Sequence, residues 1–322
     1  MSVALPLTLS PARPEAPRAP FRQLGTLWIQ VTGTWCNLTC THCFNGSGPK
    51  DPWIARMEPA RVRAAIDEGS SMGVKEIYYT GGEPFLHPDI LDLIRYALRH
   101  APTTVLTNGT LIAEPLAGRL GALAAAHRYS LEIRLSLDAA DRERNDAIRG
   151  KGVFDKVLRA ARCLEANGLL PIITVSEMAL ERGAAPGAAG GLGDGRGEAA
   201  PADGAEAEGL PAGLYGRLRE MLLSAGIRRP RIKIIPVFHM GRLAEKARTL
   251  TPAHLEGFDF SLLQCTETRA VTAAGVYACP ILAGLPGARL SGGGLAESLT
   301  PCALYHSACV TCYETGMTCR NF

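Results

Sequence analysis

Three cysteines, Cys36, Cys40 and Cys43, fall within eight positions of "GTWCNLTCTHCFNGSG". Thiolates bind soft transition metals and iron–sulfur clusters. The C-x3-C-x2-C spacing differs from zinc sites, which usually join C-x2-C to a second ligand pair nearby and close all four positions. His42 is the only nearby fourth candidate, and its place between two cysteines makes the same metal hard to reach. Three thiolates on one loop instead suit a [4Fe–4S] cube with one iron left open. An open iron is useful only if something else binds it.

Of the ten cysteines, six cluster near the C-terminus: Cys265, Cys279, Cys302, Cys309, Cys312 and Cys319. Cys163 stands alone in "KVLRAARCLEANG", where a helical pattern makes it a small core hydrophobe. The N-terminal "MSVALPLTLSPARPEAPRAPFRQ" lacks a basic n-region, and prolines follow its short apolar patch, so it reads as a flexible tail over 1–24 rather than a signal peptide. A cytoplasmic protein is expected, where disulfides are rare. A net charge of +3 over 322 residues gives no reason to expect nucleic acid or an anionic membrane as partner. No run approaches the roughly 18 apolar residues of a spanning helix.

These thiols must be positioned by regular elements. From residue 27, apolar strand-like runs ("LWIQVTG", "EIYYTGGE", "TTVLTNG", "SLEIRLSLD", "PIITVSEM", "RIKIIPVF") alternate with five helical patterns. Strands apolar along most of their length belong to a parallel sheet covered on both faces. The expected class is α/β, a partial (β/α)6 TIM-like barrel over 25–240, with the chemistry at the C-terminal ends of the strands. There lie the cysteine loop, Gly81 to Pro84, Asn108 and Asp138. Residues 182–213 are almost all Gly, Ala, Pro and acid, and read as a disordered insertion. Residues 250–322, glycine-rich and holding six cysteines, read as a small metal-stapled domain with too little core to stand unaided.

"CNLTCTHC" after the first strand, "GGEP" after the second and "TNG" after the third resemble the radical SAM superfamily, in order and spacing over about residues 25 to 240. The resemblance implies that Cys36, Cys40 and Cys43 ligate a [4Fe–4S] cluster whose open iron chelates S-adenosylmethionine (SAM). Reductive cleavage then gives a 5′-deoxyadenosyl radical that takes a hydrogen from the substrate. It implies further that Gly81, Gly82 and Glu83 bind the methionine amino group, with Pro84 stiffening the turn. His42 and Phe44 would pack against cluster and adenine. Asn108, Ser136 and Asp138 would meet ribose or substrate, and Arg149 the SAM carboxylate. Asp138 reads equally as a helix N-cap. Glu177 and His239, at strand ends, join Asp138 as candidate substrate-facing residues.

"CTETRAVTAAGVYACP" resembles the opening of SPASM and Twitch auxiliary-cluster domains, where a short hairpin carries a cysteine on each side. The later run Cys309-x2-Cys312-x6-Cys319 lacks the steps of a full SPASM pattern. The shorter Twitch pattern implies one auxiliary [4Fe–4S] cluster on Cys265, Cys279, Cys309 and Cys312. Cys319 is the first substitute and Cys302 the weakest candidate. Two clusters of three ligands each, or a structural zinc, stay open as alternatives. Pro280 follows Cys279 where some relatives place a base.

The resulting expectation is a radical SAM oxidoreductase or modifying enzyme with a flavodoxin- or ferredoxin-type electron donor. A small-molecule substrate is favoured slightly, because the proline-rich stretch before strand one is too short for a leader-binding domain. The alternatives are maturation of a ribosomally made peptide with a separate recognition partner, and a non-catalytic metal-binding scaffold.

Overall fold

The computed structural model describes residues 16–50, 52–176, 213–244, 248–285 and 287–316. All but the last residue of the expected insertion, together with Glu177 and Cys319, lie outside them. β1 is a two-residue strand, Arg18–Ala19. β2 (Thr26–Gln30) is buried at every position, as a strand covered on both faces must be. β3 (Glu76–Thr80), β4 (Thr103–Thr107), β5 (Leu131–Ser136), β6 (Ile172–Ser176) and β7 (Arg231–Ile235) follow as successive parallel neighbours.

Five helices connect them: Pro59–Ser71, Ile90–Ala97, Glu114–Ala126, Val153–Ala166 and Leu214–Ser224. Ile66, Leu93, Leu120, Val157 and Leu218 pack onto the outward strand residues Leu27, Ile29, Ile77, Val105 and Ile133. Each such side chain contributes about 1.5–3 kcal/mol of burial. These are the elements of the expected partial barrel.

One further helix, Arg142–Arg149, carries no apolar stripe that periodicity could flag. Its N-cap is Asp141, whose carboxylate accepts the Arg144 N–H at 2.9 Å, and Gly150 ends it at φ 114°. The capping alternative for Asp138 is thereby removed.

The C-terminal region extends the barrel sheet. β8 (Thr268–Thr272) lies parallel to β2 on its other side. β9 (Gly275–Tyr277) and β10 (Arg289–Ser291) continue antiparallel. β11 (Cys302–Ala303) pairs with β1. The barrel's inward Trp28 and Tyr78 share one apolar cluster with Phe238, Tyr277, Ile281 and Val310. Residues 16–24, expected within a loose tail, are tied down: the Leu304 N–H donates to Pro17 O at 2.8 Å and the Arg22 N–H to Thr266 O at 2.8 Å. Among the described residues no helix is long and apolar enough to cross a membrane.

Candidate functional site

After β2 the chain turns through Gly33, at φ +55°, where a Cβ would sit 2.0 Å from the Ile54 carbonyl oxygen. Only glycine fits that turn. The loop then closes on itself, the Cys36 N–H donating to Gly48 O at 3.0 Å and the Gly48 N–H to Thr34 O at 3.2 Å. Backbone donors reach the sulfurs: Leu38 N–H to Cys36 Sγ at 3.4 Å and Ser47 N–H to Cys43 Sγ at 3.3 Å. Such donors favour thiolate charge and tune a bound cluster. Burial pushes the bare Cys36 thiol up to about 12, so metal binding must displace its proton.

Sequence reasoning missed Arg242, which straps this loop from about 200 residues away. It donates to the carbonyls of Cys40 at 2.9 Å, Gly46 at 3.1 Å and Ser47 at 2.6 Å. No local pattern marks an arginine for that contact.

The two glycines after β3 press against the cysteine loop. A Cβ on Gly81 would meet Thr32 Oγ1 at 2.1 Å, and one on Gly82 would meet Trp35 O at 2.1 Å and Cys36 Cβ at 2.8 Å. The Glu83 N–H bonds Trp35 O at 3.0 Å. Glu83, expected to meet the methionine amino group, takes its hydrogen bonds within the protein. Its side chain is wholly buried, accepting from Phe85 N at 3.1 Å, Thr107 Oγ1 at 2.7 Å and Asn108 N at 2.8 Å. The Thr107 hydroxyl and Asn108 N–H at the end of β4, both buried, hold the carboxylate outside the cavity lining and tie β3 to β4. Pro84 is likewise buried outside the cavity lining.

Asp138, past the end of β5, is fully buried. Its Oδ2 lies 2.6 Å from Arg149 Nε and 3.3 Å from His42 Nε2; its Oδ1 accepts from Ser176 Oγ at 2.6 Å. Burial raises the Asp138 pKa, but Arg149, His42 and Ser176 overcome that and hold it below its ordinary 3.8. Burial holds the His42 imidazole down near 4, so it is neutral. Arg149, expected to face a free carboxylate, is therefore already paired in the protein. The Arg142–Arg149 helix reaches the cysteine loop, where the Thr41 N–H donates to Ile148 O at 2.9 Å.

These groups surround a cavity of about 220 Å³ at the C-terminal ends of the strands. The three loop cysteines, the Gly81–Gly82 backbone, Asn108, Ser136, Asp138 and Arg149 all line it. Phe44 lines it too and meets Phe238 edge-on at 6.4 Å. His239, expected as a candidate substrate contact, lies outside the lining because the cavity wall ends at Phe238. Asn108 Nδ2 donates to Asn37 Oδ1 at 2.8 Å and approaches Cys36 Sγ at 3.7 Å, joining the "TNG" turn to the cysteine loop.

A second, smaller cavity is lined by Cys265, Cys279, Cys302, Cys309 and Cys312. Cys302, the weakest candidate by sequence, shares a hydrogen bond with Cys265. Cys309 is buried on the helix Ser307–Thr315, one turn before Cys312. Among the described residues no three Cys, His, Asp or Glu side chains converge tightly enough to hold a single metal ion. The five thiols instead line one shared space.

Residues 31–183 match the family model described as the radical SAM superfamily. Mycofactocin maturase MftC of Mycobacterium tuberculosis is 40% identical over 134 residues, covering 41% of this chain and 32% of that protein. The chain thus spans about a third of the length of the curated relatives it matches. The structure of native anSMEcpe with bound AdoMet superposes with a TM-score of 0.58 at 17% identity, over 85% of this chain and 79% of that one. Streptococcus suis SuiB bound to precursor peptide SuiA gives 0.56 at 15% identity, over 83% and 62%. The likeness of the two structures concerns the fold. Motifs, fold and family model agree: the chain carries a radical SAM domain, of the family that binds a [4Fe–4S] cluster and S-adenosylmethionine.

Proposed function

We propose that the chain is a radical SAM enzyme that modifies a peptide, with an auxiliary iron–sulfur cluster beside its barrel mouth. The observation that carries the peptide class is the 40% identity to a protein named a maturase. Two neighbours that share only the fold are described with peptides bound, a Kp18Cys peptide and the precursor peptide SuiA. This displaces the small-molecule preference drawn from the sequence.

Cys36, Cys40 and Cys43 would hold the cluster, which when loaded with SAM and reduced supplies a 5′-deoxyadenosyl radical for hydrogen abstraction. The chain's own residues confine that chemistry. The Gly81–Gly82 backbone borders the cluster loop, giving the amino-acid end of SAM a wall without side chains. Asn108 and Ser136 offer polar groups for the ribose. Arg149, anchored through Nε on Asp138, is held against the cavity wall, and its charge lies beside Cys40. Ile235, Val237, Phe238 and Pro280 give the opposite side an apolar lining that excludes water, which protects reactive species. Cys265, Cys279, Cys302 and Cys309 would ligate the auxiliary cluster, with Cys312 next. An external donor of flavodoxin or ferredoxin type would deliver electrons.

The test is anaerobic incubation of reconstituted protein with SAM, dithionite and precursor peptides encoded beside its gene, with and without any small recognition protein encoded there. A SAM-dependent mass change on one peptide, lost in Cys36→Ala, is expected. Formation of 5′-deoxyadenosine coupled to a small molecule and indifferent to every such peptide would overturn the peptide reading.

A further inference from the structure

Arg269, in β8, has no exposed surface. Its guanidinium donates only to backbone carbonyls: Nε to Ser298 O at 2.7 Å, Nη1 to Thr268 O at 2.6 Å and Cys265 O at 3.0 Å, and Nη2 to Thr300 O at 2.8 Å. Its Cζ lies 4.0 Å from the centre of the Phe21 ring. Four of its five N–H groups are thereby satisfied as hydrogen-bond donors. Its charge is not balanced in the same way. Carbonyl dipoles and a ring face carry no net negative charge, and among the described residues no carboxylate pairs with it. The groups whose negative charge, once acquired, would act on it are the sulfurs of Cys302, Cys265 and Cys279.

A buried cation without a counter-charge is strongly destabilising. Without a metal, Cys265 is held protonated by its hydrogen bond to Cys302 and by burial, and of this pair only Cys302 is pushed toward the thiolate, by that bond and by Arg269. Metal binding makes every ligating sulfur a thiolate, and four of them around a [4Fe–4S] core leave the assembly net negative. The same guanidinium ties the turn before Cys302, through Ser298 and Thr300, to the carbonyl of Cys265. It therefore holds together two of the cysteines whose charge it faces.

We propose that Arg269 is the built-in counter-cation of the C-terminal thiol site, balancing the charge that Cys265, Cys302 and Cys279 acquire with an iron–sulfur cluster and setting the potential at which that cluster is reduced. This rests on reading the second cavity as a cluster site. Arg269 is a positioning residue: it touches neither SAM nor substrate. Net charge beside a cluster is one of the main determinants of its potential.

The test uses the full chain carrying Cys36→Ala, Cys40→Ala and Cys43→Ala, in which only the C-terminal site can hold a cluster. Iron and sulfide content and the midpoint potential are measured for this parent and for its Arg269→Lys and Arg269→Met derivatives. The lysine variant, which keeps the charge and loses the fork, is expected to retain iron within twofold of the parent and a similar potential. The methionine variant is expected to lose at least tenfold in iron. Any cluster it retains should be at least tenfold harder to reduce, about 59 mV more negative for one electron. Parent-like iron and potential in the methionine variant would overturn the proposal. So would a lysine variant as empty as the methionine one, since charge would then not be the cause. If the methionine variant does not fold, the lysine variant decides: loaded supports the proposal, empty refutes it. A parent without iron would bring down the cluster reading itself, before any Arg269 variant is compared, and this role with it.

Discussion

Gly82→Ala isolates the close approach between the turn after β3 and the cysteine loop. Gly82 is not in the left-handed region, so alanine is compatible with its backbone and the perturbation is steric alone. The new methyl would stand 2.1 Å from Trp35 O, 2.3 Å from Trp35 C and 2.8 Å from Cys36 Cβ. Real contacts of this kind stay above 3.0 Å, so the loop must recede by about 0.9 Å. The nearest atoms are backbone, which cannot rotate out of the way as a side-chain tip would. Overpacking costs about 1–3 kcal/mol. Stretching the 3.0 Å bond from Glu83 N to Trp35 O adds about 1 kcal/mol. The expected loss is about 2–4 kcal/mol in urea unfolding of the metal-free protein. A displacement of about 1 Å at a reacting centre costs about 10²-fold, so 5′-deoxyadenosine formation should fall by that order. Gly292→Ala is the control: nothing lies within 4 Å of its added methyl, and a shift within about 0.5 kcal/mol is expected. Wild-type iron content and SAM cleavage in Gly82→Ala would refute the reasoning.

Two buried carboxylates should show opposite responses to pH. Asp138→Asn leaves Arg149 buried without its ion-pair partner and should cost about 3–5 kcal/mol at pH 7. Because the folded pKa of Asp138 lies below 3.8, its contribution is present above that pH and is lost as pH falls through the folded value. The gap to wild type in chemical denaturation should therefore close only in acid, and a gap that widens toward acid would contradict the pairing. Glu83 has the reverse sign: burial pushes its carboxyl up from 4.5 to about 7 against its three hydrogen-bond donors. The unfolded chain loses that proton first, so wild-type stability should decline by about 3 kcal/mol between pH 4.5 and 7 relative to Glu83→Gln, then level off. A pH-independent difference between the two would argue that Glu83 is solvated or paired.

The barrel was legible because its strands are apolar along their length, a property that local pattern reports directly. The cysteine loop and "GGEP" were legible because their spacing is short and their chemistry restrictive. The helix Arg142–Arg149 was not, since its sequence RERNDAIR is nearly all polar and anchors through Asn145, Ile148 and Arg149. The direction of the Glu83 side chain depends on donors at the end of β4, more than 20 residues away. Arg242, Arg269 and Cys302 act across gaps that periodicity does not encode. The parallel pairing of β8 with β2 likewise joins the two ends of the chain, and only the folded sheet reveals it.

The central claim is that Cys36, Cys40 and Cys43 form the SAM-cleaving centre and that the C-terminal thiols form another site. Reductive SAM cleavage by reconstituted wild-type protein and by the triple alanine variant, with iron counted in both, tests it most directly. The account predicts dithionite-dependent 5′-deoxyadenosine from the wild type and none from the variant, which should still carry the iron of its C-terminal site. Undiminished 5′-deoxyadenosine from the triple variant, or its complete loss of iron, would contradict it.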